Sequence, residues 1–489
     1  MPADVLPRDV ILRDGSTLRL RPPRQADEDA LVAFLAGLSE ASRRQRFHAA
    51  VEADPSLVRP YLDPDWMESG ALLGELDGGD GERVVALANW SRLRDPRRAE
   101  VAFAVADDVQ GRGIGTRLLE QLAETAGDAG VEEFVAEVLP ENSAMLGVFR
   151  DAGFEVARTS EGGTVEIRFP IAATERYLAS REERDHAAVV ASLRPFFEAR
   201  SVAVVGASPR RGSIGGELFR NVVAGGFTGV AYPVNRGGEA VAAVQGYSSL
   251  AEVPETPDLA VVTVPAEAVL AVAEEALERG TRALCVISAG FAEVGAEGAE
   301  RERRLVALAR AHGARLVGPN CLGISVARRR LNATFAPRDF PPGGIGFSSQ
   351  SGALGLALLE EAEPAGLGFS AFVSIGNKPD VSSNDLLEWW EDDEETELVI
   401  LYLESFGNPR KFARLAPRVS RQKPVLAVKS GVTRTGARAA GSHTAALAGS
   451  ETAAEALFHQ AGVLRAATLE ELVDLAGLLV RQPLPAGRR

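Results

Sequence analysis

The sequence predicts an α/β chain of about three domains: one mixed α/β domain, then two parallel, doubly wound ones. Three observations carry this. A length of 489 residues allows about three domains of ordinary size. Hydrophobic residues make up 46%, enough to fill sizeable cores. From residue 201 onward, near-continuous apolar runs alternate strictly with amphipathic ones, as in a parallel sheet covered by helices on both faces.

Taken in order, residues 10–21 and 82–91 read as strands, with "ADEDALVAFLAGLS" between them as a helix. Next come a strand, "AEVAFAV" (99–105), a glycine-rich loop, and a helix over 115–129. "EEFVAEVL" is a further strand, "SAMLGVFRDAG" a helix and "TVEIRFPI" a closing strand, which makes 8–172 one mixed domain. The charged, helix-prone "ATERYLASREERDHAAVVASLRPFF" reads as a linker helix, 173–196. The domain 197–335 has strands "SVAVVG", "GVAYPVN", "LAVVTVP", "ALCVISAG" and "ARLVGPN". Its helix "AEAVLAVAEEALERG" is ended by Gly280, a residue suited to the left-handed turn after a helix. The Pro- and Arg-rich "APRDFPPGG" opens the last domain, 336–483, with strands "GIGFSSQ", "FSAFVSIGN", "ELVILYLES", "PVLAVKS" and "VLRA".

Composition narrows the function. A net charge of −15 repels phosphate backbones and argues against a nucleic-acid role. Lysine occurs only at Lys378, Lys411, Lys423 and Lys429, a bias of the kind GC-rich coding produces. The two cysteines, Cys285 and Cys321, sit in apolar runs and imply neither a disulfide framework nor a metal cluster. The charged start "MPADVLPRDVILRDG" does not read as a signal peptide, and no apolar run reaches membrane-spanning length. The expectation is a cytoplasmic protein with no membrane role and no metal site.

The stretch "DDVQGRGIGTRLLEQL" (107–122) is an anion site by composition. Glycines let backbone N–H groups approach a ligand, and a helix start favours negative charge by roughly 0.3–1 kcal/mol per interaction. The loop lacks the Gly-Lys-Ser/Thr of a nucleotide P-loop. It also follows a mid-domain strand, where a dinucleotide fingerprint follows the first strand of a βαβ unit. Its pattern Gln110-Gly111-Arg112-Gly113-Ile114-Gly115-Thr116 resembles the acetyl-CoA loop of the GNAT acetyltransferases. "AEVAFAV" resembles that family's splayed fourth strand, and "ENSAMLGVFRDAGFEV" (141–156) its second CoA motif. The resemblance implies that Gln110 to Thr116 hold the CoA pyrophosphate. It also implies that Phe103 and Val105 offer strand backbone to the pantetheine and thioester, and that Asn142 contacts the cofactor.

Acetyl transfer to an amine needs that amine neutral, and a lysine pKa about three units above neutrality makes deprotonation cost about 4 kcal/mol. Glu100 stands where several GNAT proteins carry a general-base glutamate, and alternation puts it on the face of Ala102 and Ala104, opposite Val101, Phe103 and Val105. Where many members have a tyrosine as general acid this chain has Phe149, so the acid is unassigned and water is one candidate.

In the second half, "SVAVVGASPRRGSIGGELFRN" holds Gly206, Ser208, Gly212 and Ser213 in a loop entering a helix, again an anion site. With "YPVNRGGEAV", "SAGFAEVG" and "GPNCLGI" it resembles the Rossmann-like CoA-binding domain of the NDP-forming acyl-CoA synthetases, relatives of the succinyl-CoA synthetase α subunit. That implies CoA contacts at Gly206, Ser208 and Asn235, although Arg236 stands where proline is common. "SSQSGALG", "GNKPDVSSNDLL" and "LYLESFGNPRKF" resemble their flavodoxin-like domain. There a helix end at Ser351 and Gly352 cradles the phosphate of a phosphohistidine. His443, in "AAGSHTAALAGS", matches that histidine, and Glu404 the glutamate that orients it. No glycine-rich ATP-grasp segment is present in these 489 residues, so ATP and Mg enter only if an ATP-grasp domain or partner is supplied.

The whole resembles bacterial protein acetyltransferases in which a GNAT domain is fused to synthetase-like, CoA-sensing domains. The expectation is an acetyl-CoA-dependent N-acetyltransferase whose acceptor is a protein lysine, such as that of an acyl-CoA synthetase. The rivals are an NDP-forming acyl-CoA ligase subunit using His443 and a non-catalytic CoA sensor. The acceptor, the acyl group and homo-oligomer formation stay open.

Overall fold

The computed structural model describes residues 7–49, 51–77, 82–161, 164–430 and 451–483. His443 lies outside the described residues. The chain divides into two compact units, one built from residues up to Ser192 with 311–313, the other from the rest.

The first unit is one eight-stranded sheet: β1 (Arg8–Ile11), β2 (Thr17–Arg21), β3 (Ser69–Asp77), β4 (Glu82–Arg92), β5 (Arg98–Val105), β6 (Glu133–Val138), β7 (Ala157–Glu161) and β8 (Thr164–Pro170). Its order is β1-β2-β3-β4-β5-β6-β8-β7. Every neighbouring pair is antiparallel except β5 and β6. Six helices go with it: α1 (Glu28–Gly37), α2 (Glu40–Phe47), α3 (Pro55–Val58), α4 (Ile114–Asp128), α5 (Ser143–Asp151) and α6 (Glu175–Phe197), which continues into the second unit. Two strands escape the sequence reading, β3 and β7, and 10–21 is not one strand but part of a hairpin turning at Gly15, φ +83°.

The core explains why this sheet forms. Trp90, Phe134, Phe149 and Phe169 are fully buried. The rings of Phe103, Phe149, Phe169 and Phe154 run as a chain with centroids 5.8, 5.2 and 5.1 Å apart. Each buried aromatic removes a large apolar area from water and gains edge or offset contact besides. The stretch read as a linker is tied to this unit at its start. Arg184 Nε donates to Glu120 Oε1 at 3.0 Å, and Arg117 to Asp185 at 2.5 Å.

The second unit holds two sheets. In the first, β9 (Ser201–Val205), β10 (Val230–Val234), β11 (Leu259–Val262), β12 (Ala283–Val286) and β13 (Arg315–Val317) lie in the parallel order β10-β9-β11-β12-β13. Helices α7 (Ile214–Ala224), α8 (Ala266–Glu278) and α9 (Ala296–Ala311) connect its strands. The other sheet contains β14 (Gly323–Val326), β15 (Leu331–Thr334), β16 (Pro342–Ser349), β17 (Phe369–Ser374), β18 (Leu398–Leu403), β19 (Val425–Lys429) and β20 (Leu464–Arg465). Its order is β15-β14-β17-β16-β18-β19-β20, with α10 (Gly352–Ala362), α11 (Ser383–Asp392), α12 (Pro409–Ser420), α13 (Glu451–Ala461) and α14 (Leu469–Arg481). The β14–β15 hairpin, not anticipated from sequence, lies before residue 335 yet pairs antiparallel with β17 of this later sheet.

A buried charge network joins the two sheets of this unit. Arg315 of β13 is 4% exposed and sits 2.9 Å from Asp380. Lys411 of α12 reaches Asp385 at 2.9 Å. Asp385 also closes the capping box of α11 with Ser382. Burial by itself pushes the Asp385 carboxyl up, but Lys411 and Arg315 outweigh it and hold the group well below the usual carboxylate range. Asp380→Ala leaves Arg315 buried beside a lost partner and is expected to destabilise the second unit by on the order of 3–5 kcal/mol, read by chemical denaturation. Asp385 stabilises fully above its unfolded pKa of about 3.9, and this is lost as pH falls toward the lower folded value. Asp385→Asn should remove that acid-side loss, and an unchanged acid limb would contradict the assignment.

Candidate active site

The parallel pair β5–β6 is hydrogen bonded in register only at Arg98–Glu133, Ala99–Phe134 and Glu100–Val135. Beyond these the strands splay. The mouth of the splay is a small cavity of about 30 Å³ lined by Val101, Ala102, Phe103, Ala136, Glu137, Phe149 and others. It adjoins a larger one of about 370 Å³, with Gln45, Arg46, Phe103, Asn142 and Met145 lining both.

The loop and α4 form one wall of the larger cavity. Gly111 and Gly113 take φ of +78° and +90°, which L side chains avoid. A Cβ on Gly115 would stand 3.3 Å from the Val148 side chain. The N–H groups of Ile114, Gly115 and Thr116 open α4 and have no carbonyl a turn back within the helix. Of the sequence candidates, Phe103, Val105, Gln110, Gly111, Gly113, Ile114, Gly115, Thr116 and Asn142 line this cavity. Asn142 also caps α5, its Oδ1 accepting from Met145 N at 3.0 Å. Gln110 Nε2 donates to the Val105 carbonyl at 3.1 Å.

Arg112 is placed differently. It does not line the cavity. Its guanidinium donates to Asp14 at 2.6 Å and to Ser16 Oγ at 2.5 Å. Burial works against the ionised Asp14, but Ser16 and Arg112 hold its pKa below the ordinary value. Two other arginines, missed in the sequence reading, line the cavity: Arg13 and Arg46. Arg13 lies about 100 residues from the loop and belongs to no motif, so nothing local marked it. Glycine conformation, helix start and nearby guanidinium groups suit a diphosphate, and the volume suits an extended cofactor arm.

Glu100 is exposed and is the last residue of β5 paired to β6. It pairs across with Ser91, while Asn89 pairs with Ala102, so these residues share one face. Arg46 of α2 reaches Asn89 Oδ1 on that face at 2.6 Å. Glu100 lines neither cavity; Ala102, next on its face, lines the splay. Phe149 is packed among aromatic rings and supplies no proton.

In the second unit a cavity of about 480 Å³ lies where strand ends of both sheets meet, lined by Thr263, Ser288, Asn320, Cys321, Gly352 and others. Gly352 is the one sequence candidate on this wall. Gly206 (φ +97°) brings β9 against α7: a Cβ on Gly215 would lie 2.3 Å from the Gly206 carbonyl oxygen. Ser208 Oγ accepts from Arg210 N, and Asn235 closes its own loop onto Glu239. Ser351 caps α10 through Leu354 N. Glu404 is exposed just beyond β18; its N–H donates to Gln350 Oε1 at 2.9 Å.

The two units thus have the architecture of an acetyltransferase-type domain followed by a two-sheet, CoA-ligase-type body. Family profiles match in the same places. "Acetyltransferase (GNAT) family" covers residues 38–154, "CoA binding domain" 200–327 and "Succinyl-CoA ligase like flavodoxin domain" 342–479. The α subunit of ADP-forming acetate–CoA ligase I of Pyrococcus furiosus is 43% identical over 302 residues, covering 60% of this chain and 65% of that protein. The α subunit 1 of ADP-forming succinate–CoA ligase from Archaeoglobus fulgidus is 31% identical over 246 residues, covering 49% of this chain and 82% of that one. A solved dinucleotide-forming acetyl-coenzyme A synthetase 1 of Ca. Korarchaeum cryptofilum matches with TM-score 0.58 and 40% identity, covering 60% of this chain and 64% of that chain. The chain spans less than two thirds of the first of these and of the solved structure. The chain belongs to the succinyl-CoA ligase α family of acyl-CoA ligases, with a GNAT domain ahead of that part.

Gly113→Ala forces a side chain into the left-handed region, a strain of about 1–2 kcal/mol, on the wall of the larger cavity. Its CoA affinity, measured by calorimetry, should fall about tenfold. Arg112→Ala, which frees a residue turned to Asp14, should change it less; the reverse order would show that Arg112 reaches the ligand.

Proposed function

We propose that the first unit is an acetyl-CoA-dependent Nε-lysine acetyltransferase. Domain limits are taken as 8–172, 197–335 and 336–483, with the linker 173–196, although the β14–β15 hairpin of 323–334 pairs into the last domain's sheet. The observation that carries this reading is the splay of β5 from β6, opening beside the glycine loop at the start of α4. The amides from Gly113 to Thr116, with Arg13 and Arg46, hold the diphosphate of acetyl-CoA. The free edge of β5 from Val101 to Val105 takes the amide-bearing arm, which brings the thioester to the splay.

Glu100, on the α2 face, takes the proton from the incoming lysine ammonium. The neutral amine attacks the thioester carbonyl; the C–N bond forms, the C–S bond breaks, and the thiolate is protonated from water. Gly206, Ser208, Asn235 and the 480 Å³ cavity form a second CoA site that regulates.

A second reading draws on the 43% identity to an ADP-forming acetate–CoA ligase α subunit. In it the chain acts with an ATP-grasp partner, His443 carrying phosphate, Ser351 and Gly352 cradling it and Glu404 orienting the histidine.

Glu100→Gln should lower kcat for acetyl transfer to a lysine peptide by 10²–10⁴-fold, the usual span for a lost general base, with KM for acetyl-CoA little changed. Full activity in that variant would sink the assignment. Incubation with acetyl phosphate, read for acid-labile phosphate on histidine and lost in His443→Asn, tests the second reading.

A further inference from the structure

Four of the 53 Lys and Arg residues are lysine. Arginine stays protonated and does not act as a nucleophile, so the side chains offer few amines to an acyl donor. All four lysines lie in the second unit and none is exposed.

Three of the ammonium groups are gripped twice. Lys411 Nζ lies 2.9 Å from Asp385 and 2.8 Å from Glu388. Burial draws its pKa down, and the two carboxylates outweigh that and raise it. Lys423 donates to the carbonyls of Trp390 and Asp393 at 2.7 and 2.6 Å. Lys429 donates to those of Glu404 and Ser430, each at 2.8 Å.

Lys378 differs. Among the described residues its one acceptor is Gln350 Oε1, at 2.5 Å. That oxygen also accepts the N–H groups of Glu404 and Ser405 at 2.9 and 3.0 Å. Its loop is fixed from behind: Asn377 Nδ2 donates to Glu293 and Glu302 at 2.6 and 2.7 Å. Asn320 Nδ2 in turn donates to Asn377 Oδ1 at 3.3 Å. Asn320 lines the 480 Å³ cavity, as does Gly352, two residues after Gln350. Asn320, hydrogen bonded to the residue before Lys378, and Gly352, two residues after its acceptor, thus both reach the cavity wall. Among the described residues, the charged groups that act on it are Glu404 after β18 and Lys429 at the end of β19. Burial brings its pKa down to about 8, with Glu404 opposing and Lys429 reinforcing.

We propose that Lys378 is a covalent acylation site, the one lysine of this chain open to an activated acyl group carried as an acyl phosphate or an acyl thioester. The neutral Nζ attacks the carbonyl carbon. The C–N bond forms as the C–O bond to phosphate or the C–S bond to the thiol breaks. The leaving group takes the electron pair, and the proton lost from nitrogen passes to it through water. The product is an uncharged amide. The proposal goes beyond the transferase reading and does not need Glu100, because acetyl phosphate reaches the amine directly.

The test treats the folded full-length chain with acetyl phosphate or with acetyl-CoA, separately, from pH 7 to 9, and maps acetyl-lysine by peptide mass spectrometry. Lys378 should be labelled with a rate that climbs as pH passes about 8, and each of the other three should stay well below it, since each of their ammonium groups is held by two acceptors. Lys378→Arg should remove most lysine labelling in the folded chain, leaving only the low level at the other three. Gln350→Ala, which frees the amine, should speed it. In urea all four should label alike. An acetyl-CoA signal lost in Glu100→Gln identifies the first unit as donor; one that persists identifies direct transfer. Equal labelling of the four in the folded chain, or an unlabelled Lys378 where the urea control labels, overturns the proposal.

Discussion

The first unit depends on where β5 and β6 stop being a pair. Three registers tie them, and then β6 continues with β8 on its far side while β5 stays with β4. A strand edge released in this way keeps its N–H and C=O groups but loses the neighbour that satisfied them. Inside a lined notch those groups cannot all turn to bulk water. An extended, amide-bearing ligand can replace the missing strand, as in strand addition to a sheet edge. Because α4 starts directly beyond β5, the same divergence aims a helix start at one end of that ligand. In the proposed reading, one structural event thereby sets both the anion site and the reactive end.

The second unit uses a different device. Its parallel strands all end at one edge, so the residues that follow them converge. Gln350 follows β16, Lys378 lies just past β17, Glu404 follows β18, and Lys429 ends β19. Gln350 is the hub, its one carbonyl oxygen accepting from Lys378, Glu404 and Ser405. Such a polar cluster at a sheet edge needs partners for every buried group. The Arg315–Asp380 and Lys411–Asp385 contacts do the same deeper in. They fix the register between two sheets whose apolar packing is less directional.

Much of this was legible in the sequence, for identifiable reasons. Parallel strands buried on both faces are continuous apolar runs, and all ten read in the second half are present. The two strands missed in the first unit fail that signal. β3 (SGALLGELD) carries two glycines and two charges, and β7 (ARTSE) is polar. The β14–β15 hairpin was missed because its turn, "ARRR", has no turn dipeptide; Arg330 supplies the left-handed φ of +50° that asparagine or glycine would announce. Among the candidates, the left-handed turns of Gly111 and Gly113 were readable because their constraint is local. Arg13 and Arg46 were not, because they reach the cavity only through the folding of the sheet. Arg112 sits in the same motif, and its guanidinium is turned to Asp14 and Ser16, a contact between residues almost a hundred apart that no local pattern shows.

One tension remains between composition and ligand. The chain carries −15, and coenzyme A is itself polyanionic, so long-range electrostatics oppose their meeting. Distance decides the outcome. At physiological ionic strength exposed charges more than about 8 Å away are largely screened, so most of the acidic surface contributes little at the cavity. Within that range are the opening amides of α4 and the guanidinium groups of Arg13 and Arg46. Helix-end and charge-assisted hydrogen bonds act at contact and survive screening. Affinity therefore follows the local donors. The net charge acts on the approach rate, a contribution that shrinks as salt rises. An acidic protein can hold an acidic cofactor provided its few useful cations are in the wall of the site, where Arg13 and Arg46 stand.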